Sequence, residues 1–438
     1  MKKVFGPKYR YYVLGILTLT SMLNIADRLV FSILMEDIKQ EYTMSDTQLA
    51  LLAGFAFALF YATLGIPIAR LADKYNRKNI IAISLTVWSA MTAMCGAAIG
   101  FWSLFLARMG VGAGEAGGSP PSLSMIADYF KPSERTRAMG IYITGAVLGT
   151  AGGLILGGLL ADAIGWRMTF VALGLPGILL GVVLYLTVNE PVRGINDVNG
   201  AQDAHAEDIG ATLRSLKGNK VYIRVSIAFA FLTMIGYAIA IWLAPVMLRN
   251  YDVSTAKVGL ILGLSFLAGG VPGPIAGSFL TERLVKYDPR WRAWFPAIAI
   301  IVCFVAYALS LTATTFAGFI GFFIFGYFVF MMPQGATLSL LQDALKPGER
   351  ALGYSLALFV NNIMGQVVGL FVIGVMSDML VPTLGTKSLN YSILILSAMA
   401  AVVGCLAYSW TGAAMTGAQW RTANDPVRTS IDGDAQNG

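Results

Sequence analysis

The stretch Asn24-Ile25-Ala26-Asp27-Arg28 places an acid and a base side by side inside an apolar run that extends from Tyr11 to Met35. A run of this length can cross a bilayer, which needs about 20 apolar residues. Charged groups at mid-membrane cost roughly 2.5–3.5 kcal/mol each, so a sequence retains them where they face a wet cavity and take part in function. The segment from Arg108 to Glu115 also carries charge deep inside an apolar run. We expect the rest of the chain to bring these two places together.

The composition indicates a polytopic helical membrane protein. Of 438 residues, 56% are hydrophobic and 13% are charged, whereas soluble domains carry about 25% charged residues. Three cysteines in apolar segments and one histidine, His205, predict neither a disulfide framework nor a metal or cofactor site. A phosphate-binding Gly-x-x-x-x-Gly-Lys-Ser/Thr motif is absent from the sequence, which argues against an ATP-driven pump. A lone histidine also excludes a His-Glu-x-x-His protease, so we expect no enzyme.

Apolar segments separated by short polar breaks predict an all-α fold with twelve transmembrane helices. We place them near 11–35, 47–70, 79–100, 102–127, 138–160, 167–188, 222–248, 256–281, 293–312, 315–341, 351–377 and 389–411.

A polar stretch near the middle divides the chain into two six-helix halves, residues 1–188 and 221–412. The stretch itself, 189–220, carries Ile209, Leu213 and Leu216 on one helical face, which predicts a short interfacial helix in a cytoplasmic linker. A flexible polar linker is the alternative. Residues 413–438 form a polar tail.

The distribution of Lys and Arg predicts the orientation. With both termini in the cytoplasm, 24 of these residues lie on the inner side and 5 on the outer side, while Arg28 and Arg108 remain in the membrane. This bias follows the positive-inside rule. It accounts for the net charge of +7 without a nucleic-acid partner.

An internal repeat relates the two halves. The same five residues recur at the same spacing after the fourth and the tenth helix, in Asp128-Tyr-Phe-Lys131-Pro132-Ser-Glu134-Arg135 and Asp343-Ala-Leu-Lys346-Pro347-Gly-Glu349-Arg350. The halves are therefore related by parallel duplication, which is typical of transporters that rock around a site at the membrane midplane.

Further motifs resemble the major facilitator superfamily over essentially the whole chain. The loop after the second helix reads Ala69-Arg-Leu71-Ala-Asp73-Lys74-Tyr-Asn76-Arg77-Lys78 and is similar to the Gly-x-Leu-x-Asp-Arg-x-Gly-Arg-Arg signature, with Ala69 and Asn76 in place of its glycines. Glycines recur every four residues in the fifth helix, at Gly145, Gly149, Gly153 and Gly157, followed by Gly158. We expect these glycines to permit close approach to a helix of the other half.

Within this superfamily the chain resembles the spinster-like branch. Three stretches carry the resemblance: Asn24-x-x-Asp27-Arg28, Arg108-x-Gly110-Val-Gly112-x-Gly114-Glu115-Ala116 and Ser124-Met-Ile-Ala-Asp128-Tyr-Phe. Organic anion–cation symporters share part of this pattern. The resemblance implies a secondary transporter of the bacterial inner membrane whose cargo is lipid-like.

The intramembrane charges are the candidate site. Arg108 and Glu115 share one helix face, while the neighbours Asp27 and Arg28 point about 100° apart. We interpret Asp27 and Glu115 as proton-coupling groups, since a carboxylate away from bulk water can change protonation when a cation approaches or leaves. The candidate substrate-binding residues are Arg28, Arg108, Asn24, Asn361, Asn362 and Gln366. The alternative is an ion-pair network that only locks the first helix to the fourth.

A second group of charges lies at the cytoplasmic ends of the helices. By resemblance to the superfamily, they form a gate that closes the inner face, and they are Asp73, Arg77, Lys78, Asp128, Glu134 and Arg135. The positive-inside bias alone is the alternative explanation.

Together these features predict a monomeric, proton-coupled carrier of an amphipathic organic anion in the lipid bilayer. Two alternatives remain open at this point: a proton symporter of a small organic anion such as a sugar acid, and a non-transporting receptor on the same fold.

Overall fold

The computed structural model describes residues 6–194, 209–346 and 349–415, apart from a few side chains within helices, that of Asp73 among them. Over this part the chain is helical and has no strand. His205 and most of the predicted tail lie outside the described residues.

Seven α-helices form the first half. They are α1 (Pro7–Tyr42), α2 (Asp46–Ala50), α3 (Ala56–Lys74), α4 (Arg77–Cys95), α5 (Phe101–Glu115), α6 (Ser119–Tyr129) and α7 (Pro132–Thr187). A π-helical segment, Leu51–Phe55, joins α2 to α3.

A short helix in the linker and nine further α-helices complete the described chain. They are α8 (Ile209–Gly218), α9 (Lys220–Asn250), α10 (Thr255–Gly270), α11 (Pro272–Val285), α12 (Trp291–Leu311), α13 (Phe316–Met331), α14 (Gln334–Asp343), α15 (Arg350–Asn362), α16 (Leu370–Leu384) and α17 (Ser388–Ala414). A second π-helical segment, Ile363–Gly369, joins α15 to α16.

Nine helical stretches of the described chain are long and apolar enough to cross a membrane. Two of them, Pro132–Thr187 and Leu352–Ala414, contain 56 and 63 residues. At about 1.5 Å per residue, each is far longer than a bilayer core of about 30 Å. The first is kinked at Gly165, whose φ of 77° lies outside the helical region and favours a glycine. The all-helical membrane fold is as the sequence predicts, while the number of twelve crossings stays a prediction.

Turns interrupt three helices that hydropathy predicts to be continuous, namely 102–127, 256–281 and 315–341. The chain leaves the α-helix between α5 and α6, between α10 and α11, and between α13 and α14. Proline marks the start of each second helix: Pro120 and Pro121 lie in the first turn of α6, Pro272 begins α11, and Pro333 precedes α14. Proline lacks the amide hydrogen that would continue the helix but suits a first turn.

The glycines of α7 divide their contacts between the two halves. A Cβ added to Gly145, Gly149 or Gly153 would meet the backbone of α1 within the same half. Only Gly158 meets the other half, against Thr255 and Gly259 of α10. The expectation that the whole motif faces the other half is therefore corrected: most of it seats α1, the helix that carries Asp27 and Arg28.

We predict that Gly158→Val lowers the thermal unfolding midpoint, because the valine would press on the α10 backbone and overpacking costs about 1–3 kcal/mol. Gly140→Val, on the same helix with no atom within 4 Å of its added Cβ, is the matched control. Equal midpoints for the two purified variants would contradict the close packing.

Candidate functional site

Arg28 and Glu115 form an ion pair at the centre of the first half. The Arg28 Nε donates to Glu115 Oε2 at 2.7 Å, and its Nη2 lies 3.4 Å from Asn24 Oδ1. The guanidinium lies 4.7 Å from the ring centroids of both Phe57 and Tyr61. Glu115 ends α5 and its side chain is fully buried. Its second oxygen, Oε1, has no hydrogen-bond partner in the described chain.

Arg108 is a buried cation without a carboxylate partner among the described residues. It is 2% exposed, and its Nε donates to the backbone carbonyl of Leu52 at 3.4 Å. That carbonyl belongs to the first π-helical segment, where the regular helix hydrogen bonding is shifted. Its guanidinium lies 4.7 Å from the centroid of Phe31 and 5.3 Å from that of Phe57. Aromatic faces thus replace a counter-ion.

Asp27 points away from Arg28, into the first half. It is 3% exposed and accepts a hydrogen bond of 3.1 Å from Thr92 Oγ1 of α4. Asp27 interacts electrostatically with Glu115, Arg108 and Arg28 without forming an ion pair in the described chain. The four charges predicted to converge therefore do lie close together, on α1 and α5.

A cavity of about 180 Å³ separates this cluster from the second half. Arg28 and Arg108 line one wall, and Tyr237 and Gln366 line the other. Asp27 and Glu115 do not line it; they lie behind the two arginines. The Gln366 amide donates to the Tyr237 hydroxyl at 2.6 Å and to Asn362 Oδ1 at 3.1 Å.

A second, apolar chamber, which is largely open on one side, shares part of its wall with the first. It has a volume of about 420 Å³ and shares Tyr237 and Ala240 with the cavity between the halves. Its other lining residues come from the second half, namely Phe229, Thr233, Gly236, Tyr327, Phe330, Met331, Gln334 and Asn361. Of the predicted amides, Gln366 thus lines the first cavity, Asn361 lines the second, and Asn362 lines neither.

The predicted gate residues contact the first half and the start of the linker in the described part of the chain. Arg77 is buried and pairs with Asp128 at 2.6 Å and with Glu190 at 2.7 Å. The Lys78 ammonium donates to the Tyr185 carbonyl at 3.1 Å.

Two further gate candidates, Glu134 and Arg135, also form polar contacts. Glu134 pairs with Arg10 at 2.8 Å, and Arg135 donates to the Ala127 carbonyl at 3.0 Å. The side chain of Asp73 lies outside the described part of the chain.

A second ionic network, which the sequence did not predict, joins the two halves at the opposite end. We call this the outer end, following the predicted orientation. Asp46 is fully buried and accepts hydrogen bonds from both terminal nitrogens of Arg249, at 2.8 and 2.7 Å. It also accepts from Lys39 at 2.5 Å and from Ser377 at 2.6 Å. Arg249 pairs in addition with Glu36 at 2.8 Å.

Asp378 of α16 strengthens the same junction. Its carboxylate accepts hydrogen bonds from the backbone amides of Asp46 and Thr47, both at 2.9 Å, at the start of α2. A carboxylate is favourable at a helix N-terminus. In the sequence, these residues lie in the polar breaks and at the ends of the predicted helices. Only the fold shows that charges about 200 residues apart, Asp46 and Arg249, meet.

Comparisons with known proteins agree with this architecture. The family model of the Major Facilitator Superfamily matches residues 17–370. An MFS-type efflux pump of Mycolicibacterium smegmatis is 31% identical over 93% of this chain and 94% of its own length. The sphingosine-1-phosphate transporter SPNS2 of Danio rerio is 26% identical over 87% of this chain and 80% of its length.

Among solved structures, a bacterial homologue of the human lysosomal transporter spinster is similar in fold. That structure, in an inward-facing and unoccupied conformation, has a TM-score of 0.84 and 28% identity, and the match covers 92% of this chain and 98% of the other.

We predict that Asp46→Asn shifts the protein toward conformations with separated outer ends. Removing one partner of a buried ion pair costs about 3–5 kcal/mol because the other charge stays buried. Distances between spin labels on the outer ends of α1 and α9 would report the shift. Glu41→Gln is the matched control, since Glu41 is an outer carboxylate that pairs with Arg167 inside the first half. Identical distance distributions for Asp46→Asn and wild type would contradict a closing role.

Proposed function

Because the chain belongs to the Major Facilitator Superfamily, we propose that it is a proton-coupled secondary transporter of an amphipathic organic anion, working by alternating access. The chain is a spinster-like membrane transporter, not an enzyme. The cargo, the coupling ion and the transport cycle are our proposal. It rests on one observation: a cavity with two arginines on one wall opens beside an apolar chamber in the other half.

The two compartments suit the two ends of an amphiphile. Arg108 is buried and has no carboxylate partner among the described residues, so an anionic head group would supply a counter-ion through charge-assisted hydrogen bonds. Phe330, Tyr327 and Met331 give the neighbouring chamber an apolar surface for a tail. A small sugar acid would leave that surface unused, which favours the amphiphile over the organic-anion alternative.

The ion pair between Arg28 and Glu115 supports proton coupling. Arg28 faces the cavity while Glu115 lies behind it, so an anionic ligand and Glu115 would compete for the same guanidinium. When the ligand engages Arg28, the buried Glu115 carboxylate loses its stabilising cation and binds a proton instead. Asp27, with a threonine as its hydrogen-bonding partner, is the second proton-binding candidate.

The ionic networks at the two ends support alternating access. The outer network holds α1 and α2 to α9 and α16, so these ends must separate for the cavity to open outward. Our proposed inner gate consists of Asp73, Arg77, Lys78, Asp128, Glu134 and Arg135. Among the described residues, Arg77 pairs with Asp128 of the first half and with Glu190 at the start of the linker. We also propose that the protein is a monomer of the bacterial inner membrane with both termini in the cytoplasm.

We predict that Glu115→Gln abolishes uptake driven by a pH gradient while ligand binding and exchange remain measurable, and that Asp27→Asn has the same effect. Each change removes a proton-binding group without altering its size. Asp252→Asn, at an exposed position outside the site, is the control. Reconstituted vesicles with and without an imposed pH gradient provide the measurement. Gradient-driven uptake that survives in both variants would refute the coupling role.

We also predict that affinity rises with tail length in a series of anionic amphiphiles with one head group. Each buried methylene contributes about 0.8 kcal/mol until the chamber is filled. Arg108→Ala should remove head-group selectivity before it removes the tail dependence. Competition binding to wild type and variant tests both. Equal affinity across the tails, with tight binding of a short sugar acid, would favour the organic-anion symporter, and binding without any flux would favour a receptor.

A further inference from the structure

A groove between α12 and α17 lies apart from the two chambers described above. It has a volume of about 360 Å³ and shares no described lining residue with either of them. Ile298 and Val302, on its α12 wall, are 52% and 37% exposed. Since α12 is long and apolar enough to cross a membrane, apolar side chains exposed on it face the bilayer. The lining side chains include Trp291, Trp294, Ile298 and Val302 of α12 and Cys405 and Ser409 of α17.

The lining of this groove suits hydrocarbon better than water. Among its described side chains, only Ser409 and the two tryptophans carry a hydrogen-bonding nitrogen or oxygen. A buried water needs two to four polar partners, which such a lining does not offer along its length. The membrane component that fills an apolar groove on a spanning helix is a lipid acyl chain.

Tryptophan and tyrosine side chains mark the level at which the groove reaches the membrane surface. Trp291 and Trp294 occupy the first turn of α12, with ring centroids 5.9 Å apart. Tyr287, just before this helix, is 87% exposed, and Trp410, near the end of α17, is 58% exposed. These residue types are enriched at the level of the lipid head groups. We therefore expect the start of α12 to lie at that level.

Arg290 places a positive charge at the same end of the groove. Its guanidinium carbon lies 5.6 Å from the ring centroid of Trp294, which lines the groove. The carboxylate that approaches it among the described residues is that of Asp288, whose Oδ2 lies 3.9 Å from Nε, beyond hydrogen-bond length. The Arg290 side chain is 33% exposed, and the exposed Lys286 adds a second positive charge nearby in the chain. A phosphate at the end of the groove would thus meet a guanidinium with hydrogen bonds to give.

We propose that this groove binds a phospholipid with net negative charge, such as phosphatidylglycerol, with an acyl chain between α12 and α17 and the phosphate at Arg290. Guanidinium groups form charge-assisted hydrogen bonds with phosphate, and basic pockets between membrane helices bind anionic lipid head groups. In the predicted orientation, this lipid belongs to the cytoplasmic leaflet. The inference goes beyond the proposed function, because the groove is separate from the transport cavity and does not depend on the cargo.

The test titrates the detergent-solubilised protein with dioleoylphosphatidylglycerol or dioleoylphosphatidylcholine and measures bound lipid by native mass spectrometry. We expect phosphatidylglycerol to bind at least fivefold more tightly than phosphatidylcholine, and Arg290→Gln to lower that ratio at least threefold. Arg137→Gln, which changes an exposed arginine of α7, is the matched control and should leave the ratio unchanged. Lipid bound elsewhere contributes equally to both variants, so the readout is the binding that Arg290→Gln removes. An unchanged ratio in Arg290→Gln would overturn the proposal.

A second pair of variants tests the acyl chain. Ser409→Phe fills the groove from α17 and should remove the same component of phosphatidylglycerol binding. Leu406→Phe, on the same helix but outside the lining, is 46% exposed in the wild type and should retain it. Full binding in Ser409→Phe, with a thermal unfolding midpoint like that of the wild type, would contradict the groove as the chain site.

Two further outcomes separate other occupants from a lipid. Glycerol 3-phosphate, which has a phosphate head and no acyl chain, should not displace phosphatidylglycerol at equal concentration. Displacement by glycerol 3-phosphate would assign the site to a soluble phosphate and refute the lipid. Spectra in which Ser409→Phe removes a dimer of the protein, and no lipid, would assign the groove to a second copy of the chain.

Discussion

The cost of holding ionised groups in a membrane shapes the centre of this protein. The Glu115 carboxylate and two aromatic rings stabilise the positive charge of Arg28. Arg108 has one backbone carbonyl and two ring faces, and no carboxylate in the described chain. The two arginines therefore differ: Arg28 is paired with a carboxylate of the protein, whereas Arg108 is stabilised by a carbonyl and two ring faces in the described chain.

The helix that carries this centre also carries the outer junction. α1 holds Asn24, Asp27 and Arg28 near its middle and Glu36 and Lys39 farther along. Glycines of α7 allow the backbone of α1 to pack directly against α7. A tilt of α1 that separated Glu36 from Arg249 would therefore also move the helix that positions Arg28 against Glu115. Because packed helices move as rigid elements, α1 is the structural connection between the outer network and the central charges.

Much of the central site could be predicted from the sequence, because mid-membrane charge is a strong local signal. Asp27, Arg28, Arg108 and Glu115 are clustered as the hydropathy pattern suggests. Which of them face the cavity could not be predicted, since a helical position fixes a direction only relative to its neighbours. The proline-marked helix breaks leave no trace in the hydropathy pattern, because a hydropathy window averages over them. The pairing of Asp46 with Arg249 depends on tertiary contact between the halves, for which a single sequence carries no local signal.

The two π-helical segments show how the halves meet at the cavity. Leu51–Phe55 belongs to the first half and Ile363–Gly369 to the second, and Gly54 packs against the backbone carbonyl of Gln366. Each segment supplies a polar group to the site: the Leu52 carbonyl bonds Arg108, and Gln366 bonds Tyr237. Widened helical turns leave carbonyl groups free and recur at functional sites. Both walls are built from such turns at their contact point, so a change in the packing of the halves would alter the polar surface of the cavity. The segment that contains Gln366 thus both lines the cavity and contacts the first half.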